Sequence, residues 1–437
     1  MSTVRVALLL AGLLLAGCGD SDNDSATVPG VSSQSLLQGA GPDGSFYAPP
    51  PSGEGRSLAT YWPIVLSHPW SRTADNSFQG DIPEGDEFEP YGVKKMLEAA
   101  GAVVYQPDKL PYASHERRGQ LLYKKCAGTT VDEVLCEGEN PEPVDGIHLA
   151  TIDYCADADH RARHGFSDVQ QCQRELQFNI ICHSQGCPDS RYMLAAVTNE
   201  FSGKLMYQHV ASWTSLAGAN KGTAQADWVL EMLAACLFPE CRSLVLDLAL
   251  GVDGFSQNGA LTTQASESVV ALSRKYMLET TDMDCTPGRG VECAPSFNEL
   301  YPLPEDPQHP ILYQSFTSQI NDISHPCFTE TRLFWEIVQQ REGANDGNIS
   351  VDSQQFTTYG AGSTGGATPV MPRWIMGETL DPEVQHPGLP HMAYASAQVP
   401  GMDEGRMSCM GEDNSGFRFS REGFYRDLVA ELVSWGY

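Results

Sequence analysis

The segment His183-Ser184-Gln185-Gly186 offers the clearest chemistry in the chain. An apolar run, Leu176 to Cys182, leads into it, and helix-forming residues, Ser190 to Val197, follow it. A strand that turns sharply into a helix holds the turn residue in a strained conformation and exposes its side chain. A serine at that tip is placed as a nucleophile, with nearby backbone N–H groups aimed at the oxyanion its attack would create. Cys182 stands where such turns usually have their first glycine. Strand and helix approach closely there, and cysteine is still small. The plainer alternative is a serine in an ordinary turn; the strand before and the helix after favour the nucleophile.

A serine hydroxyl needs a base to take its proton and a carboxylate to orient that base. After a serine on a strand–turn–helix, the acid comes next in the chain and the histidine last. Downstream, Asp346 lies in Asn345-Asp346-Gly347, behind a helical segment near residues 333–338, where a carboxylate can project from a turn. An ordinary Asx turn is the alternative there. Only His386 and His391 lie beyond it. His391 leads into Met392-Ala393-Tyr394, a semi-apolar stretch that would bury one side of the ring. His386 sits among Gln and Pro and reads as a solvated loop residue, so His391 is favoured as the base.

These residues need a frame. Tyr61 to Leu66 is a short apolar run that reads as a buried strand, and it enters Ser67-His68-Pro69-Trp70-Ser71. Tyr91 to Ala100 has helical spacing at Val93, Met96, Leu97 and Ala100; Gly101 ends it, and Ala102 to Tyr105 reads as a second strand. Strand, helix and strand with short connections make a βαβ unit, hence an α/β fold with a mostly parallel sheet and helices on both faces. Phe424 to Trp435 is spaced as a last helix packing on that sheet.

The 437 residues carry 56 acidic against 27 basic side chains, a net charge of −29, which argues against a nucleic-acid partner. With 41% hydrophobic residues the chain can bury a large core. Arg5 followed by the apolar run Val6 to Leu15, too short to span a bilayer, reads as a signal peptide over residues 1–17. Leu15-Ala16-Gly17-Cys18 resembles the bacterial lipobox, which implies lipidation of Cys18 and attachment to a membrane of the cell envelope through an N-terminal lipid anchor; an ordinary secretory signal is the alternative. Residues 18–58, rich in Gly, Ser, Asp and Pro, read as a flexible tether, leaving residues 59–437 as one domain. No later stretch reaches 18 apolar residues, so no transmembrane helix is expected. Apart from Cys18 there are twelve cysteines of the thirteen, an even number that suits disulfides in an exported fold. Spacing suggests Cys126 with Cys136, Cys155 with Cys172, Cys236 with Cys241, Cys285 with Cys293, and Cys327 with Cys409. Cys182 and Cys187, which bracket Ser184, read equally well as buried thiols.

Taken together, these residues resemble the true lipases of Pseudomonas and Burkholderia, secreted α/β-hydrolases that cleave triacylglycerols. The similar stretches are Pro63 to His68, Arg118-Gly119-Gln120-Leu121-Leu122, His183 to Gly186 with Ser190-Arg191-Tyr192, Ala211 to Ser215, Asn220 to Asp227, Phe297-Asn298 with Tyr301-Pro302, Tyr313-Gln314-Ser315, and Asn345-Asp346-Gly347. They occur in the family's order across residues 60–437, interrupted by insertions near 126–172 and at the Gly-rich stretch 360–366. The resemblance implies Ser184 as nucleophile, Asp346 as acid and His391 as base, with oxyanion amides from Gln185 and Trp70. It implies no cofactor. Pro69 stands where the family has glycine, which changes the shape of the oxyanion loop. Ala393 stands where the family has an aspartate that binds calcium, so no metal site is expected. The apolar segment Trp228 to Leu250 falls where the family has a mobile lid; two buried helices are the alternative reading. The implied activity is hydrolysis of carboxylic esters, acylglycerols above all. A polyester (polyhydroxyalkanoate-type) depolymerase, a short-chain esterase, and a non-catalytic surface-binding protein on a hydrolase scaffold are the rivals.

Overall fold

The structure is a computed structural model that describes residues 57–74, 77–78, 92–127, 136, 142–250, 259–285, 292–306, 308–320, 332–355, 383–387 and 421–437. The signal peptide, Cys18 and all but the last two residues of the tether lie outside them. In chain order the strands and α-helices are β1 (Ile64–Ser67), α1 (Val93–Ala99), β2 (Val104–Tyr105), α2 (His115–Tyr123), β3 (Lys125–Cys126), β4 (Pro143–Asp145), α3 (Ile147–Ala156), α4 (Ala158–His164), α5 (Val169–Glu175), β5 (Phe178–His183), α6 (Gly186–Ala196), β6 (Val210–Leu216), α7 (Ala224–Ala235), α8 (Pro239–Leu250), α9 (Gly259–Leu272), α10 (Arg274–Leu278), α11 (Phe297–Leu300), β7 (Leu312–Gln319), α12 (Arg332–Glu342), α13 (Val351–Gln354), β8 (Glu383–Pro387) and α14 (Arg421–Trp435).

Six strands form one sheet in the order β2-β1-β5-β6-β7-β8, and every pairing in it is parallel. The chain builds outward from β1 to β2, then returns to the other side of β1 and builds outward again from β5. This reversal leaves a crevice at the C-terminal ends of β1 and β5, where ligand sites in such sheets lie. Ser67 at the end of β1 pairs with Cys182 near the end of β5. The loops that follow these two strands therefore leave the sheet side by side.

Successive strand residues point to opposite faces, and the sequence fills both with apolar side chains. Ile64, Leu66, Ile181, Leu216 and Phe316 face α1 and α14, against Val93, Met96, Leu97, Phe424, Tyr425, Leu428 and Val429. Val65, Phe178, Ile180, Cys182, Trp213 and Tyr313 face the other layer, against Leu122, Ile147, Tyr154, Met193 and Leu194. A parallel sheet with helices on both faces and disulfide-bearing insertions is the α/β-hydrolase fold. The elements expected from sequence are present with shifted ends. β1 starts at Ile64 rather than Tyr61, because Tyr61 donates its N–H to the Tyr437 carbonyl (2.6 Å) and pairs with the chain end instead. Helix α6 begins at Gly186 rather than Ser190, since Pro188 is tolerated in a first helical turn, where its missing N–H has no partner to lose.

The disulfides Cys126–Cys136, Cys155–Cys172, Cys236–Cys241 and Cys285–Cys293 form as the spacing suggested, and Cys182 and Cys187 are also bridged. The first two staple the insertion made by the β3–β4 hairpin and α3 to α5. Cys327 and Cys409 lie outside the described residues.

One buried acid has a measurable consequence. Glu431 on α14 is pushed up to about 9 by burial and by Asp427 one turn earlier. Its Oε2 has no hydrogen-bond partner among the described residues. The folded chain thus keeps a proton that the unfolded chain releases near its ordinary value of 4.5. That contribution to stability is complete below this value and is lost as the pH rises through about 9. Thermal unfolding should show wild type losing Tm between pH 5 and 9 more steeply than Glu431→Gln; equal slopes would contradict the assignment.

Candidate active site

Ser184 follows the last residue of β5 and precedes α6, and its φ is +53°. A side chain other than glycine in this left-handed region costs on the order of 1–3 kcal/mol and persists only where the surroundings enforce it. Here they do. The Ser184 N–H donates to Leu216 O (3.1 Å), and its carbonyl accepts from Cys187 N (3.1 Å) and Ala219 N (3.2 Å). Gly186 sets the approach of α6 to β1: a Cβ there would lie 2.3 Å from Ser67 O and 2.7 Å from His68 O. Only glycine lets the helix start beneath the loop that follows β1. Gln185 is the N-cap of α6, so its N–H lies at the positive end of the helix dipole. Its side chain is committed elsewhere, donating from Nε2 to Ala113 O (2.9 Å) and accepting at Oε1 from Ser268 Oγ (3.2 Å).

The loop after β1 carries Trp70, and a group of charges with no exposure holds that loop in place. Arg118 on α2 donates from Nη2 to the carbonyls of His68 (2.9 Å) and Pro69 (3.0 Å), and from Nη1 to Leu110 O. Lys109 Nζ donates to His68 O (3.1 Å), Ser67 Oγ (2.8 Å) and Asp189 Oδ2 (3.0 Å). Asp189, in the first turn of α6, also accepts from Arg118 Nε at 2.6 Å and faces His115 Nδ1 at 3.1 Å. Burial alone would raise the Asp189 carboxyl, but Arg118, Lys109 and His115 outweigh it and hold the group well below its usual range. Burial pushes Lys109 down to about 7 against the pull of Asp189. His68 is kept neutral by burial and by the positive charge of Lys109 and Arg118. Its Nε2 accepts from the Lys109 N–H at 3.0 Å, so the ring proton sits on Nδ1. Pro69 thus sits in a loop fixed through its carbonyls, which proline supplies as well as glycine does.

In the sequence Arg118 stands out only within a stretch similar to the lipases, and Lys109, His115 and Asp189 do not stand out at all. The available signal was slight: Asp189 is a carboxylate on the inward face of an otherwise apolar helix start. Trp70 is half-buried with its ring edge-on to Tyr112 (5.4 Å between centroids), and Ser71 beside it has φ +58°.

Asp346 is fully buried in the turn after α12, on the side of the sheet where β7 ends. Oδ1 accepts from the N–H groups of Asn348 (3.0 Å) and Ile349 (2.9 Å), and Oδ2 from Ser318 Oγ (3.1 Å) and Gln354 Nε2 (3.0 Å). Asn345 shapes the turn by accepting from Gly347 N (2.9 Å), and Gly347 adopts φ +102°. Asp346 is therefore both an Asx-turn residue and a tightly held carboxylate. Ser318 in β7 pairs with His386 in β8, so the strand carrying His386 runs beside the strand that supports Asp346. His391 lies outside the described residues, four positions past the end of β8.

Trp228 to Leu250 falls in helices α7 and α8, joined at a bend stapled by Cys236–Cys241. Val229, Leu233 and Val245 pack into one apolar cluster with Tyr112, Ala219 and Ile349, and with Trp70 at its edge. The inner face thus packs beside the loop that carries Trp70, and Ser184 is only 6% exposed. At the bend and beyond it Leu237 is 84% exposed, Phe238 50% and Leu244 56%. The helices are thus buried on one side, and apolar side chains meet solvent at the bend between them and at Leu244. Among the described residues, no three His, Cys, Asp or Glu side chains converge to hold a metal ion; Ala393 is outside them.

No protein-family model and no curated protein matches the chain. Among solved structures, the chain is similar to the lipase of Staphylococcus hyicus, with 14% identity, 88% of this chain and 98% of that one covered, and a TM-score of 0.46. EstA from Clostridium botulinum is similar at 14% identity over 95% and 94% of the two chains, with a TM-score of 0.45. Lipase 1 from Pelosinus fermentans is similar at 13% identity over 86% and 99%, with a TM-score of 0.43. The α/β-hydrolase fold of this chain is seen in its own strand order and in its own strand–turn–helix at Ser184.

Proposed function

We propose that the chain is a serine carboxylic-ester hydrolase that cleaves acylglycerol esters through an acyl-enzyme intermediate. The observation that carries this reading is the backbone of Ser184, a non-glycine residue held at φ +53° between β5 and the N-terminus of α6. His391 takes the Ser184 proton as Oγ attacks the ester carbonyl, and Asp346 orients the imidazole and stabilises its charged form. The N–H groups of Gln185 and Trp70 receive the oxyanion, a contribution of roughly 3 kcal/mol per donor. Protonated His391 hands its proton to the leaving alcohol, and water then enters by the same route to release the acid. No cofactor takes part.

The buried Ser184, the packing of α7 and α8 beside Trp70, and the exposed Leu237, Phe238 and Leu244 support an apolar, water-insoluble ester as substrate, with α7 and α8 acting as a lid. The purified protein is expected to hydrolyse emulsified tributyrin and triolein, measured by titration of released acid. Turnover confined to a polyhydroxyalkanoate film would replace the lipase reading with a depolymerase. Turnover confined to dissolved short-chain esters would leave an esterase, and no turnover of any ester would leave a non-catalytic scaffold.

The same reading takes the enzyme outside the cytoplasm by the signal at residues 1–17 and tethers it to a cell-envelope membrane through a diacylated Cys18; its strongly negative body would not be drawn to anionic lipid, so the attachment comes from the acyl chains. Metabolic labelling with palmitate should mark the wild-type chain and not Cys18→Ser; equal labelling would remove the anchor from the account.

A further inference from the structure

Cys182 and Cys187 are joined across the serine turn, so that a closed ring encloses His183, Ser184, Gln185 and Gly186. One end of the bridge is in β5, one residue before the strand stops, and the other is in the first turn of α6. Within that ring lie the strained Ser184 and the N–H of Gln185. We propose that the Cys182–Cys187 bridge is a positioning element for Ser184, and that the protein reaches full activity only once this bridge has been oxidised. The proposal rests on the reading of Ser184 as the nucleophile.

Three observations carry it. A bridge spanning only five positions removes little freedom from the unfolded chain, and less than Cys155–Cys172, which spans seventeen. Its effect therefore falls on local geometry more than on global stability. Next, the hydrogen bonds that hold Ser184 at positive φ include Cys187 N to Ser184 O, so the bridge fixes the residue that supplies one of them. Lastly, both cysteines have no exposure and pack among Val65, Met193 and Leu194. A reductant does not reach them in the folded chain, so their state is set as the chain folds. Closure joins the two sulfurs and releases two electrons and two protons. A low-molecular-weight disulfide accepts both, its own S–S bond breaking to give two thiols. Disulfide oxidants, small or protein-borne, act in the compartments to which the proposed signal leads, and not in the cytosol.

The test compares wild type, C182A/C187A and the control C285A/C293A, each as the purified full-length chain. Labelling by a fluorophosphonate and ester turnover are both measured. In C182A/C187A, kcat and the labelling rate should fall together by about 10- to 100-fold, the size expected when a reacting group is displaced by about 1 Å, with KM little changed. C285A/C293A should match wild type. Wild-type labelling and turnover in C182A/C187A would overturn the proposal. If that variant does not fold, wild type unfolded and reduced in urea and dithiothreitol, then refolded with and without glutathione disulfide, serves instead. Labelling should return in step with the loss of alkylatable Cys182 and Cys187; full labelling while both remain alkylatable overturns the proposal. A wild-type chain that never labels with its bridge intact defeats the reading of Ser184 itself, whatever the cysteines do.

Discussion

Ser184→Ala is expected to lower kcat on the order of 10⁴- to 10⁶-fold while leaving thermal unfolding close to wild type. The size follows from the division of labour. Without the hydroxyl there is no acyl-enzyme, and what remains is the binding site and the oxyanion amides acting on water. The loss of a small hydroxyl from a 6% exposed side chain removes none of the bonds that shape the turn, since these are made by the backbone of Ser184. His391→Ala should lose a comparable factor and His386→Ala should not. The reverse order would move the base to β8, beside the strand that supports Asp346. A fall of less than about tenfold in Ser184→Ala would contradict a nucleophilic role, because removing a true nucleophile is not compensated by its neighbours.

Asp189→Asn is expected to destabilise the fold by about 3–5 kcal/mol, the usual consequence of removing one partner from a buried ion pair. Lys109 and Arg118 would remain buried around a neutral amide, and both reach the carbonyl of His68. The loop carrying Trp70 should loosen with them, so kcat should fall as well, even though Asp189 lies below the site and never meets the substrate. The pH dependence has a definite sign. Asp189 is held well below its ordinary value of 3.8, so its stabilisation is present above that value and is lost as the pH falls through the lower, folded value. Urea unfolding should therefore show a wide gap between wild type and variant at pH 7 and a narrower one in acid. Adding Lys109→Met to Asp189→Asn should recover part of the loss by restoring the balance of buried charge. A gap that stays constant with pH would contradict the account.

The two carboxylates differ in how plainly the sequence announces them. Asp346 could be found because its neighbours Asn345 and Gly347 mark a turn, and because an acid is wanted between Ser184 and the last histidines. Asp189 answers no such requirement. Its partners Lys109, His115 and Arg118 come from segments more than seventy positions away in the chain, and only the closeness of α2 to α6 brings them together. That closeness is itself set by glycines: a Cβ on Gly119 would lie 2.5 Å from Asp189 O. The sheet was readable because β1 and β5 are short apolar runs bounded by turns, whereas β6, with Ser212, Thr214 and Ser215 among its seven residues, showed only through the lipase resemblance. The Cys182–Cys187 bridge was not, since two buried thiols and one disulfide give the same apolar pattern. The helices over the site were half-readable for a related reason. An apolar run as long as Trp228 to Leu250 signals burial, and the exposure of Leu237, Phe238 and Leu244 depends on where the bend at Cys236–Cys241 points.

The central claim is that Ser184 is the activated nucleophile of an ester hydrolase. The measurement that tests it most directly is reaction of the purified protein with a fluorophosphonate, followed by mass spectrometry of its peptides. One label per chain is expected, on Ser184, lost in Ser184→Ala and slowed in Asp346→Asn. An unlabelled protein, or a label on any other residue, would contradict it.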